Sequence, residues 1–149
     1  MLTFLVQQGQ PGFEVCLADG QWVPVSVPAS AAAAAGAGSW ILVQGGDCLR
    51  RWTNHRYQSA LHRVVPHTGR GDRYAMPLFW GPGEGHLMST LPGCVDTANG
   101  NPDRYAPITY ADYMTGFAKA EEEGELSEYS TVRSLTPAQK RAAAENRVD

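Results

Sequence analysis

Apolar residues over the first eighty positions come in short runs, not at helical spacing. Leu2-Thr3-Phe4-Leu5-Val6, Phe13 to Leu17, Gln21 to Val27, Trp40 to Val43, Ala60 to Val65 and Tyr74 to Trp80 carry β-branched and aromatic side chains, which reads as a series of strands. Gly9-Gln10-Pro11-Gly12, Ala18-Asp19-Gly20, Gly45-Gly46-Asp47 and Gly81-Pro82-Gly83 supply the turns between them, and Asp-Gly between two apolar runs predicts a hairpin. Pro24 and Pro28 put the third strand at an edge or end it early. The stretch 29–38, made of alanine and glycine around Ser30, reads as a flexible loop. Leu49, Trp52 and Tyr57 lie in a segment of mixed character that predicts no single element.

The pattern changes after residue 85. Pro92 to Pro107 is polar and reads as a surface loop. Thr109 to Glu123 has Tyr110, Tyr113, Met114, Phe117 and Ala118 at helical spacing. Its closing Glu121-Glu122-Glu123 reads as a solvated end, opposed by the helix dipole. Thr136-Pro137 is a good N-cap followed by proline at the first helical position. The helix it opens, running to about Arg147, has almost no large apolar residue and reads as a weakly docked tail. The expectation is a mainly β chain: a β body over residues 1–90, then a loop and C-terminal helical extension over 91–149.

Composition narrows the classes. A formal net charge of -3 gives no whole-chain attraction to nucleic acid or an anionic membrane, so neither is expected as a partner. Cys16, Cys48 and Cys94 are odd in number and show no CxxC spacing. They read as reduced thiols of a cytoplasmic protein rather than a disulfide framework or a zinc site. The N-terminus lacks a basic region followed by a long apolar run, and the alanine stretch is about half of what spans a bilayer.

Candidate chemistry concentrates between Gly46 and Trp80. Arg50, Arg51, Arg56, Arg63, Arg70 and Arg73 stand there against only Asp47 and Asp72. A solvated basic face is one reading. A pocket for a carboxylate or phosphate is the other, because guanidinium offers these groups a bidentate fork. His62, between Leu61 and Val64 on a strand expected to be half-buried, is either a core histidine satisfied by a neighbour or a metal ligand whose second ring nitrogen is so held. His55 and His67 sit beside turns and read as solvent-exposed; His86, in a Gly/Pro loop, carries no indication.

These pieces, in order, resemble the C-terminal part of the isopenicillin N synthase-like iron(II)/2-oxoglutarate-dependent dioxygenases. Leu2-Thr3-Phe4-Leu5-Val6-Gln7 is similar to the strand after the family's first metal motif. Glu14-Val15 with Gly20-Gln21-Trp22-Val23-Pro24-Val25 resembles its next hairpin. Gly46-Asp47, Trp52-Thr53-Asn54 and Arg56-Tyr57-Gln58-Ser59 resemble the turn into the strand bearing the distal histidine. His62-Arg63-Val64-Val65 resembles that strand, and Asp72-Arg73-Tyr74 with Met76-Pro77-Leu78-Phe79 the cosubstrate strand. The match covers roughly residues 1–120, and Pro107 to Phe117 resembles the closing helix.

The resemblance implies a partial double-stranded β-helix, or jelly roll, followed by one or two helices. It implies an oxidoreductase using iron(II), dioxygen and 2-oxoglutarate on a small organic molecule. It makes His62 the distal iron ligand and Arg73 the partner of the far 2-oxoglutarate carboxylate, with Tyr57 and Asn54 lining or supporting the pocket. Two departures stand out. The family's His-x-Asp pair is absent, and Met1 aligns a few residues beyond it, as expected of a fragment that starts late and is inactive alone. Ala75 replaces the family serine two residues after the arginine. A non-catalytic binding or interaction module derived from the same fold is the alternative.

Overall fold

The computed structural model describes residues 1–9, 12–25, 40–66, 71–122 and 135–145. The alanine-rich stretch 29–38, His67, Arg70, and the expected end of the last helix at Arg147 lie outside them. The elements are β1 (Leu2–Gly9), β2 (Phe13–Cys16), β3 (Trp22–Pro24), β4 (Ile41–Gly45), α1 (Asp47–Trp52), β5 (His62–Val64), β6 (Arg73–Trp80), β7 (Leu87–Met88), β8 (Ile108–Thr109), α2 (Tyr110–Glu122) and α3 (Pro137–Ala144).

One sheet has the order β4-β1-β6, a second β3-β2-β5, and a small third β7-β8. The chain therefore passes back and forth between the first two sheets: β1 in one, β2 and β3 in the other, then β4, β5 and β6 alternately. That winding is a jelly roll. Strand β2 is the centre of its sheet, antiparallel to both neighbours, with Val15 opposite Val23 on one side and His62 on the other. Directly opposed residues share a face. Phe13, Val15, Val23, His62 and Val64 thus line one face, and Glu14, Cys16, Trp22 and Arg63 the other.

The chain divides into two compact units. One comprises Thr3–Gln44, Ala60–Phe79 and Leu135–Asp149. Among the described residues Leu5, Phe13, Cys16, Leu135 and Ala142 are its buried apolar side chains, and Thr3 and Leu5 mark the covered face of β1. Strands β5 and β6 each have a single neighbour among the described residues. On β6, Tyr74, Met76, Leu78 and Phe79 are all exposed, Phe79 by 76%.

The last helix, expected as a weakly docked tail, is instead fastened to the β2–β3 hairpin. Thr136 and Gln139 form a reciprocal capping box. The Thr136 hydroxyl also donates to Ala18 O at 2.7 Å, and Gln139 Nε2 donates to Cys16 O at 3.2 Å. Ala142 is buried, and Gly20, at φ +90°, lies so near Ala138 that a Cβ would come within 2.9 Å of its carbonyl oxygen. Small side chains and two polar links replace the large apolar contacts whose absence suggested a loose tail.

The other unit comprises Met1–Leu2, Gly45–Ser59 and Trp80–Ser134. Cys48, Met88 and Tyr113 form its core, with Trp52, Ile108 and Tyr110 packed against them. The segment of mixed character resolves into α1, six residues long and without a side-chain N-cap. Its end is well defined: Asn54 N–H donates to Arg51 O and His55 N–H to Arg50 O, at 3.0 and 2.8 Å. Asn54 and His55 adopt φ of +49° and +70°. This paired bonding closes helices through a left-handed residue that is usually glycine and sometimes asparagine. Within the expected loop 92–107, Asp96 caps a single 3₁₀ turn, Thr97–Asn99.

Candidate functional site

His62 opens β5, and its ring lies 5.4 Å from that of Phe13, on the same face of the sheet. It is exposed, more so than the half-buried position its pattern suggested, because β5 has no strand on its outer side among the described residues. Its Nδ1 sits 2.8 Å from Ala60 O. A carbonyl only accepts, so Nδ1 carries a proton and Nε2 is the ring nitrogen left to face a ligand. A backbone carbonyl holding one imidazole nitrogen is the usual way a metal-binding histidine is oriented.

Arg73 opens β6 and is half-buried. Nη2 donates to Gln7 Oε1 at 3.1 Å, while Nε is buried without a hydrogen-bond partner. The side chain lies against Gly12: a Cβ there would stand 3.1 Å from Arg73 Nε and 3.2 Å from Val65 O. Val65 N–H donates to Gly12 O at 2.9 Å, tying the end of β5 to the same spot. A half-buried guanidinium with a neutral partner fits an incoming carboxylate, which would supply the acceptor atoms and countercharge it lacks. His62 and Arg73 therefore flank the Gly12–Phe13 step of one unit. Position 75 offers no hydroxyl.

The basic segment does not form one pocket. Arg63 faces away from His62, pairs with Glu14 at 2.7 Å, and stacks 4.1 Å over the Trp22 ring. Arg50 and Arg51 are buried in the other unit. There Arg50 lies 3.4 Å from Asp47, and Arg51 donates to Ala106 O and covers the Tyr105 ring. Asn54 and Tyr57 belong to that unit as well. Asn54 spends its amide on the backbone: Nδ2 donates to Cys94 O and Pro102 O, and Oδ1 accepts from Arg104 N–H. Tyr57 is exposed.

His55, expected in solvent, is instead partly buried. Its Nε2 lies 2.7 Å from Arg50 Nη1 and 2.6 Å from the Tyr105 hydroxyl. A guanidinium only donates, so Nε2 accepts and the ring is neutral. Burial, then the nearby Arg50 and Arg104, push its pKa below the ordinary histidine value. Its partner Tyr105 is fifty residues away, so no local pattern announced it.

Among the described residues no three His, Cys, Asp or Glu side chains cluster as a metal site. This part of the chain offers iron a single candidate ligand, His62. No described helix is long and apolar enough to cross a membrane.

The sheet pair and the winding of the chain between its two sheets define the class by fold: a domain of double-stranded β-helix type. Comparison with known proteins gives the family. Residues 1–82 match the 2OG-Fe(II) oxygenase superfamily, and the chain belongs to it. It is 34% identical over 119 residues to the 2-oxoglutarate-Fe(II) type oxidoreductase hxnY of Emericella nidulans, covering 79% of this chain and 31% of that protein. A putative 2OG-Fe(II) oxygenase family protein from Caulobacter crescentus superimposes with a TM-score of 0.67 at 30% identity, covering 81% of this chain and 37% of that one. A full-length Neurospora crassa protein in complex with alpha-KG gives a TM-score of 0.64 at 25% identity, covering 80% and 34%. The chain thus spans about a third of the length of these relatives.

Proposed function

We propose that this chain is the C-terminal half of an iron(II)- and 2-oxoglutarate-dependent dioxygenase domain that oxidises a small organic molecule. His62 supplies one iron ligand through Nε2, and Arg73 holds the carboxylate of 2-oxoglutarate remote from the metal. The observation that carries this is the pair of groups on either side of Gly12–Phe13: an imidazole whose Nδ1 is tied to Ala60 O, and a guanidinium whose one hydrogen-bond partner among the described residues is Gln7. Iron(II) with the oxoacid supplies oxygen activation when bound. The protein residues bind and orient: His62 offers a lone pair in a fixed tautomer, and Arg73 neutralises a carboxylate out of bulk water. Asn54 supports the domain by ordering the 94–104 segment, and Tyr57 contributes an exposed ring.

Among the described residues His62 is the one candidate ligand, so the chain on its own should show no turnover. A fusion tests the reading: the part of hxnY that precedes its match to this chain, joined in frame to Met1, should release carbon dioxide from 2-oxoglutarate in an iron(II)-dependent manner. His62→Ala and Arg73→Ala should each abolish release. A folded fusion that stays active in His62→Ala refutes the assignment.

A further inference from the structure

Arg73 reaches its place through two residues that carry no charge. Guanidinium has five N–H groups: one on Nε and two on each Nη. The Nε–H is buried and unpaired behind Gly12, whose missing Cβ leaves the room it occupies. One Nη2 hydrogen is taken by Gln7 Oε1. A carboxylate approaching from solvent is thereby denied the side of the fork that pairs Nε with Nη2. What remains is the end: both hydrogens of Nη1 and one of Nη2. We infer that Gln7 and Gly12 are positioning residues that present Arg73 end-on to the remote carboxylate of a dicarboxylate ligand.

This rests on the reading of Arg73 as the oxoacid anchor and adds how the anchor is aimed. Two neighbours share the task. Gln7 sets the rotation of the guanidinium plane through a single acceptor atom and stays neutral, leaving the positive charge for the ligand. Gly12 sets the lateral position: a Cβ would be 3.1 Å from Nε and 3.4 Å from Cδ, and Val65 O at 3.2 Å leaves no retreat on the backbone side.

The test uses the full 149-residue chain without metal, titrated with 2-oxoglutarate and separately with succinate. Binding is followed by ligand saturation transfer and by the Arg73 Nε–H resonance. Gln7→Ala should weaken both ligands by about 3- to 10-fold, the scale of one lost orienting hydrogen bond. Gln7→Glu is the sharper variant: its carboxylate should occupy the arginine, raise or preserve the melting temperature, and weaken binding by more than about tenfold. A merely structural glutamine would not split stability from binding in this way. Gly12→Ala should shift the Nε–H resonance and weaken binding. If Arg73→Ala removes binding while Gln7→Glu and Gly12→Ala stay within about twofold of the native chain, this inference is wrong and the anchor stands. If Arg73→Ala changes nothing, the anchor reading itself fails.

Discussion

Replacing Asn54 with alanine should remove more stability than any surface substitution. Asn54 is 1% exposed and makes three side-chain hydrogen bonds, to Cys94 O (3.1 Å), Pro102 O (3.0 Å) and Arg104 N–H (3.2 Å). Cys94 O keeps a second donor, Asn101 Nδ2, at 3.0 Å. Truncation therefore strips Pro102 O and Arg104 N–H of the partner Asn54 gave them. At about 0.5–1.5 kcal/mol net for each of these two bonds, the loss is about 1–3 kcal/mol. The backbone adds a second part: at φ +49° alanine is worse than asparagine or glycine by about 1 kcal/mol. Asn54→Ala should cost about 2–4 kcal/mol in urea denaturation, and Asn54→Gly less, because only the side-chain part is lost. That order reverses the one found inside helices, where glycine is the poorer residue. Amide exchange at Arg104 should rise in both variants. An Asn54→Ala cost below about 1 kcal/mol, or a glycine variant less stable than the alanine one, would refute the assignment of this residue as the lock on the 94–104 segment.

Acidification should destabilise the chain through His55. Its folded pKa lies below the unfolded value, so the unfolded state binds the proton first as pH falls through about 6.5. Stability is fully present above that pH and drops below it; His55→Gln should flatten this slope in melts taken between about pH 7 and 5. Cys16, Cys48 and Cys94 are all buried, and burial pushes the Cys16 and Cys48 thiols up, so alkylation at neutral pH should be negligible until denaturant is added; prompt labelling of Cys48 in the native chain would contradict the packing. Gly20→Ala should loosen α3, since the left-handed φ and the 2.9 Å approach to Ala138 O both oppose a Cβ; circular dichroism and exchange at residues 139–145 would report it. The isolated chain should self-associate through β6 at concentrations on the order of µM to mM, and Met76→Lys with Leu78→Lys should reduce this in sedimentation; a monomeric native chain would count against β6 as an open edge.

Much of the β architecture was legible because each strand is a short apolar run closed by glycine, proline or Asp-Gly. What escaped was too short or too distant to leave a pattern. Helix α1 is six residues, lacks a side-chain N-cap, and buries two arginines that the sequence left open between a solvated face and an anion pocket. Strands β7 and β8 are two residues each and exist only by pairing across twenty positions, Leu87 with Thr109 and Met88 with Ile108. The arginine excess read as one basic segment, but alternation along β5 turns Arg63 from His62, and Arg50 and Arg51 fall in another unit. His62 stood out from its place between apolar residues on a strand pattern, but its role, and Arg73 among six arginines, came only from the family resemblance.

The residues around Arg73 show why a site is harder to read than a fold. Gln7 and Gly12 are ordinary in sequence: one closes an apolar run, the other ends a turn. Their meaning comes from β6 lying beside β1 in one sheet while Gly12 leads into the other. Only that crossing brings an amide oxygen and an absent side chain onto a guanidinium sixty-odd residues away. A charge can be found by its type, but its aim depends on neutral neighbours that the winding of the sheets brings to it. The positioning of the anchor is therefore a property of the fold rather than of Arg73 alone, and substitutions at positions 7 and 12 test it where removal of the charge at 73 cannot.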